Sequence, residues 1–162
     1  MIKKYKWSEL NPLQLGKCGE YFVKMEFSAL GYDVYTAEVD NKGIDFIIRT
    51  CEDRYYDVQV KAVRGFKYIF FLKKNFNPNR KNLLAAIALF MKDGELPHLY
   101  LIPSKAWLKP NTLLVSRDYG EGKKSEPEWG INLSKRNLPL LSQFAFDKIV
   151  QSSPSPVSPS PC

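Results

Sequence analysis

Four side chains in this 162-residue sequence, Glu20, Asp45, Gln59 and Lys61, are of types that can work together on a phosphate ester. Breaking a phosphodiester calls for a cation to neutralise charge building on the phosphate and to make water a useful nucleophile. Magnesium takes oxygen ligands and keeps several waters, so one or two carboxylates plus carbonyl oxygens suffice. A nearby lysine can hold the attacking water or stabilise the charged transition state. Asp45 supplies a carboxylate, Gln59 a carbonyl oxygen and Lys61 a cation. Glu20 adds a second carboxylate if its element packs beside the others.

Those residues must be brought together by helix and strands. Asn11 can cap a helix whose first turn holds Pro12, and Gly31, after Leu30, can end it. At about 100° per residue, Cys18, Phe22, Val23, Met25, Phe27, Ala29 and Leu30 cover one broad arc. Glu20 falls on its border, where Lys24, four residues on, is an ordinary salt-bridge partner. Three strands are expected next, within 32–38, 44–49 and 55–63. Ile44, Phe46 and Ile48 share one face of the second, with Asp45, Ile47 and Arg49 on the other. In the third, Val58, Val60 and Ala62 oppose Asp57, Gln59 and Lys61. A hairpin centred on Glu52 sets Arg49 opposite Tyr55, Ile47 opposite Asp57 and Asp45 opposite Gln59. Asp45, Gln59 and Lys61 then share a face, and a one-residue slip would change the pairing. A salt bridge is the expected role of Asp57, on that face. A strand within 67–73, an apolar hairpin of 83–91 with 99–102, a strand at 113–115 and a short helix within 137–150 complete the pattern. The expected fold is mixed α/β (α+β), one helix before a meander, with later elements covering the sheet.

Gly16-Lys-Cys-Gly-Glu20 on a first helix, Gly43-Ile-Asp45-Phe at a strand start and Val58-Gln-Val-Lys61 on the partner strand resemble the PD-(D/E)xK nuclease superfamily over residues 12–63. The resemblance implies a restriction-endonuclease-like mixed β-sheet flanked by helices. It implies a magnesium-dependent DNA endonuclease of restriction, homing or junction-resolving type, with Mn2+ able to substitute. By that match Asp45 is the principal metal ligand, Gln59 stands at the second acidic position and the Val60 carbonyl is a third ligand. Lys61 is then the catalytic lysine, and Glu20 the helix carboxylate that helps place metal or water. Ile44 stands where the superfamily has proline, and Gln59 where it has Asp or Glu. The second departure supports an alternative, a catalytically inactive nucleic-acid-binding module of the same fold.

The net charge is +7, from 24 Lys and Arg against 17 Asp and Glu. Seven basic residues (Lys61, Arg64, Lys67, Lys73, Lys74, Arg80, Lys81) fall in one acid-free stretch. We read Arg64, Lys67, Lys73, Lys74, Arg80 and Lys81 as DNA-contacting residues, because such groups displace counterions from phosphates. A two-fold symmetric DNA site would require a homodimer or higher homo-oligomer. The single histidine, His98, excludes His-cluster zinc and H-E-x-x-H chemistry. The 3 cysteines are scattered without C-x-x-C, which argues against a zinc ribbon and suits a reducing, cytoplasmic setting. No apolar run has the length of a membrane span. Gly120 to Ser125 fails as a phosphate loop, since Arg117 stands where its first glycine belongs. Trp7, Trp107 and Trp129 are read as packing residues. The folded domain is expected over 1–150, with 151–162 a disordered Ser/Pro-rich tail.

Overall fold

The computed structural model of the chain describes residues 4–39 and 42–152. The Ser/Pro-rich tail, from residue 153, lies outside the described residues. Helix α1 (Pro12–Ala29) begins as expected. Asn11 and Gln14 form a reciprocal capping box, with bonds of 2.9 and 3.0 Å, and Pro12 needs no N–H in the first turn. The chain leaves α1 through Gly31 at φ 86°, a conformation that side chains resist.

Strands β1 (Asp33–Tyr35), β2 (Phe46–Arg49) and β3 (Tyr55–Arg64) follow. Ile47 pairs with Asp57 and Arg49 with Tyr55, the register expected from the hairpin. β4 (Tyr68–Leu72) then departs from the expected meander. It leaves the sheet, and β5 (Leu83–Phe90) returns to pair parallel with β3, Gln59 opposite Ala85 and Lys61 opposite Ile87. β6 (His98–Pro103) closes the apolar hairpin against β5. The main sheet is therefore mixed and five-stranded, in the order β1-β2-β3-β5-β6. β4 joins β8 (Glu128–Asn132) and β7 (Leu114–Arg117) in a separate three-stranded sheet, ordered β4-β8-β7. Two short helices, α2 (Leu138–Leu141) and α3 (Phe146–Gln151), replace the single one expected near the end.

The main sheet lies between two apolar layers. On one face Val58, Leu84, Ala86, Phe46 and Ile48 pack against Val23 and Phe27 of α1 and Phe146 and Val150 of α3. On the other, Ala85, Ile87 and Leu89 meet Phe71, Phe76, Trp107 and Ile131. All eight residues of β5 are buried, as a strand covered on both faces must be. Ile44 does not share the face of Phe46 and Ile48; it precedes β2 and packs on the opposite cluster. The buried arc of α1 is also rotated from the expected one. Leu15, Gly19, Val23 and Phe27 face inward, while Met25 and Leu30 stand out in solvent. No helix among the described residues is long and apolar enough to cross a membrane.

Candidate functional site

The site begins where two strands part. β2 pairs with β3 only as far as Val58, yet β3 runs on to Arg64. Asp45 sits in this fork. Its N–H donates to the Val58 carbonyl at 3.0 Å. Its Oδ2 accepts the Val60 N–H at 2.6 Å. A side-chain carboxylate thus occupies the position that the next strand residue would take, and the β3 edge beyond it is open. In an extended strand the N–H and C=O of one residue point the same way. The Val60 carbonyl therefore faces the edge on which Asp45 lies.

Gln59 and Lys61 project from the other strand face, between the two sheets. A Cβ added at Gly43 would stand 3.0 Å from the Gln59 Nε2, so the carboxamide lies against bare backbone at φ 74°. Gln59 Oε1 is buried and accepts no hydrogen bond. Such an orphan is uncommon and asks for a reason. Lys61 is half-buried, its Nζ 5.3 Å from the centre of the Phe71 ring. Burial lowers the pKa of this ammonium below the ordinary lysine value, and the Asp45 carboxylate pushes it back up.

Glu20 lies on α1, which a neighbouring glycine brings close to the sheet. A Cβ at Gly19 would stand only 2.8 Å from the Ala62 Cβ and 3.2 Å from the Ala88 Cβ. Three small residues thus let the helix backbone lie close on β3 and β5. Glu20 does not bond Lys24, the expected partner; it takes Lys17 Nζ at 2.6 Å. That bond holds the Lys17 ammonium above its ordinary pKa, and Asp45 adds to the same effect. Lys17 is thus a cation between the two carboxylates that sequence reasoning missed. The signal for the close approach was present, since a glycine inside a helical pattern carries a propensity cost and usually answers to packing.

The oxygen set around the fork is Asp45, the Gln59 carboxamide and the Val60 carbonyl, with Glu20 linked through Lys17. No group of three or more His, Cys, Asp and Glu side chains suited to a metal exists among the described residues. A hard, well-hydrated cation does not need one, and the orphaned Gln59 Oε1 is an acceptor whose lone pairs are unused.

The expected DNA-contacting cations divide. The Arg64 guanidinium donates to the Trp7 and Leu10 carbonyls, the latter at 2.8 Å, and ties the chain's beginning to β3. Lys73 Nζ pairs with Asp118 at 2.9 Å and lies 4.1 Å from the Trp129 ring centre. Lys74 pairs with Glu126 at 2.7 Å, and Arg80 with Asp57, which has the expected salt-bridge role. Lys67 and Lys81 are exposed and form no ion pair among the described residues. The acid-free stretch is acid-free only along the chain. In space its charges are met by acids from elsewhere; the exposed Lys74–Glu126 pair is worth about 0–1 kcal/mol and can be exchanged for a phosphate.

No family model matches the chain, and no curated protein does. Among solved structures it is similar to a bacterial homing endonuclease, I-Ssp6803I. The identity is 16%, the match covers 78% of this chain and 80% of that one, and the TM-score is 0.49.

Proposed function

We propose that this chain is a metal-dependent nuclease that hydrolyses phosphodiester bonds in DNA, with Mg2+ or Mn2+ as its cofactor. The observation that supports the reading is the buried, unpartnered Gln59 oxygen on the same face of β3 as the half-buried Lys61, whose ammonium feels the Asp45 carboxylate. Asp45, Gln59 Oε1 and the Val60 carbonyl would hold the ion, and Glu20 would complete the set or orient a water. When bound, the ion neutralises charge on the scissile phosphate and lowers the pKa of water. Lys61, which lies over the Phe71 ring and feels the Asp45 charge, would hold the nucleophile or steady the developing charge. Asp45 has a second task. Its bond to the Val60 N–H keeps the strand edge open. Lys17 pairs with Glu20, and a bound cation would compete with that ammonium for the carboxylate.

A specific observation favours a second reading, an inactive nucleic-acid-binding module: Gln59 is neutral where a carboxylate would attract the ion more strongly. Plasmid, linear and branched DNA should be titrated with Mg2+ and Mn2+, with Asp45→Ala and Lys61→Ala alongside. The nuclease reading expects metal-dependent cutting by the wild type, abolished by EDTA, and a loss of at least ~100-fold in either variant with an unchanged circular dichroism spectrum. Salt-sensitive DNA binding indifferent to EDTA, with no nicking of any form, selects the second reading.

A further inference from the structure

Three chain segments converge where β3 and β5 begin and β6 ends. They enclose a cavity of about 550 Å3 whose lining includes Arg54, Tyr56, Pro78, Lys81, Lys105 and Leu108. That is ample for one small ligand. Its floor is firm. Tyr56 and Ser104 are buried, and the Ser104 hydroxyl donates to the Arg80 carbonyl at 2.7 Å, tying the 78–81 loop to the end of β6.

The lining is one-sided in charge. It contains no carboxylate among the described residues. Arg54 pairs outside it with Glu52, and Arg80 turns away to Asp57. Lys81 and Lys105 form no ion pair among the described residues. Two free ammonium groups beside tyrosine, proline and leucine surfaces suit a dianion joined to a flat ring. The position narrows the choice further. Asp57, which holds Arg80, lies two residues before Gln59 on the same face of β3, about 7 Å along the strand. Arg80 lines the cavity and pairs with Asp57, so that pair links the cavity to the strand face that carries Gln59.

We propose that the cavity is a nucleotide subsite, taking one unit of a nucleic-acid strand whose neighbouring phosphodiester lies at the Asp45 fork. Lys81 and Lys105 hold the phosphate, and the sugar and base lie against Tyr56 and Leu108. The polymer part of this assignment rests on the nuclease reading; the phosphate-and-ring chemistry does not.

The test uses the full chain in EDTA, with dTMP, thymidine and a ten-residue oligothymidylate as probes, and the variant Lys81→Gln/Lys105→Gln. dTMP, and not thymidine, should shift the Leu108 methyl and Lys105 amide NMR signals in the wild type. The variant should bind the oligonucleotide roughly 10-fold more weakly, with a salt slope shallower by about 0.7 for each phosphate it no longer neutralises. If dTMP leaves those signals unmoved and the variant keeps wild-type affinity and slope, the subsite is overturned. A glutamate-rich peptide that occupies the cavity more tightly than the oligonucleotide overturns it as well. If dTMP fills the cavity in a wild type that neither binds nor cuts DNA, the nuclease reading fails while the phosphate-and-ring site stands, with a free nucleotide as its ligand.

Discussion

A buried carboxamide oxygen left without a donor costs roughly 1–3 kcal/mol, so the Gln59 oxygen calls for a partner. The most direct test is to strengthen the ligand. Gln59→Glu places a second carboxylate beside Asp45, where two like charges resist ionising together. Without metal the variant should melt roughly 3–8 °C below wild type. Added Mn2+ should raise its melting temperature by more than it raises that of wild type, as calorimetry will measure. An equal response in both proteins would remove Gln59 from the proposed ligand set. At this scale much was legible in advance. The shared face of Gln59 and Lys61 followed from alternation along β3, and the β2–β3 register from one correctly placed turn; Asp45 precedes β2 and turns its carboxylate to the edge of β3 instead. What the sequence could not show is that Asp45 also caps the open edge of β3, because that depends on where β2 stops pairing. Nor could it show Lys17 bound to Glu20. The spacings to Lys17 and Lys24 both fit a helix, and only the environment of the site chooses between them.

Gly19 governs how the helix meets the sheet. Alanine at this position gains up to ~1 kcal/mol in helix propensity. Its methyl group, however, would collide with Ala62 and Ala88, and such overpacking costs about 1–3 kcal/mol. Gly19→Ala should therefore lower stability in urea melts and push Glu20 away from the fork. Adding Ala62→Gly should recover part of the loss, and two effects that merely sum would show that the close approach is unimportant. The ends of α1 and the β5–β6 hairpin were readable because caps and continuous apolar runs are local signals. β8 was not. Its sequence Glu-Trp-Gly-Ile-Asn is short and contains glycine, and its logic is tertiary. The Tyr68 ring lies across Gly130, with no room for a Cβ, and the Tyr68 hydroxyl donates to the buried Glu128 at 2.6 Å. β4 was expected as a strand but placed in the wrong sheet, since alternation identifies a strand and says nothing of its partner.

Across the whole molecule, charge and protonation couple to folding. Burial pushes the Tyr32 phenol up to about 12 and raises those of Tyr56 and Tyr100; Tyr68 is raised by burial and by its bond to Glu128. An unfolded chain releases these protons near pH 10. The folded state holds them more tightly, so this contribution is fully present below about pH 10 and is lost as pH rises through the folded values. Melting temperature should fall steeply above pH 10, with the phenolate absorbance of these four rings appearing only as the chain unfolds. Phenolate absorbance that reaches the value for all nine tyrosines before the melt would contradict the burial of these rings. The net positive charge was legible from composition, but its distribution was not. Lys73, Lys74 and Arg80 find their acids at Asp118, Glu126 and Asp57, so a count along the sequence overstates the free charge. The parallel pairing of β3 with β5 carries a further consequence, for biosynthesis. As the chain leaves the ribosome, the fork at Asp45 is complete in sequence by residue 61, but the inner edge of β3 lacks its neighbour until β5 has been made. β4 must wait longer, until residues 128–132 supply β8. A nascent chain halted near residue 110 would thus carry the Asp45 fork beside β4, an apolar strand still without its partner, a state prone to misassociation.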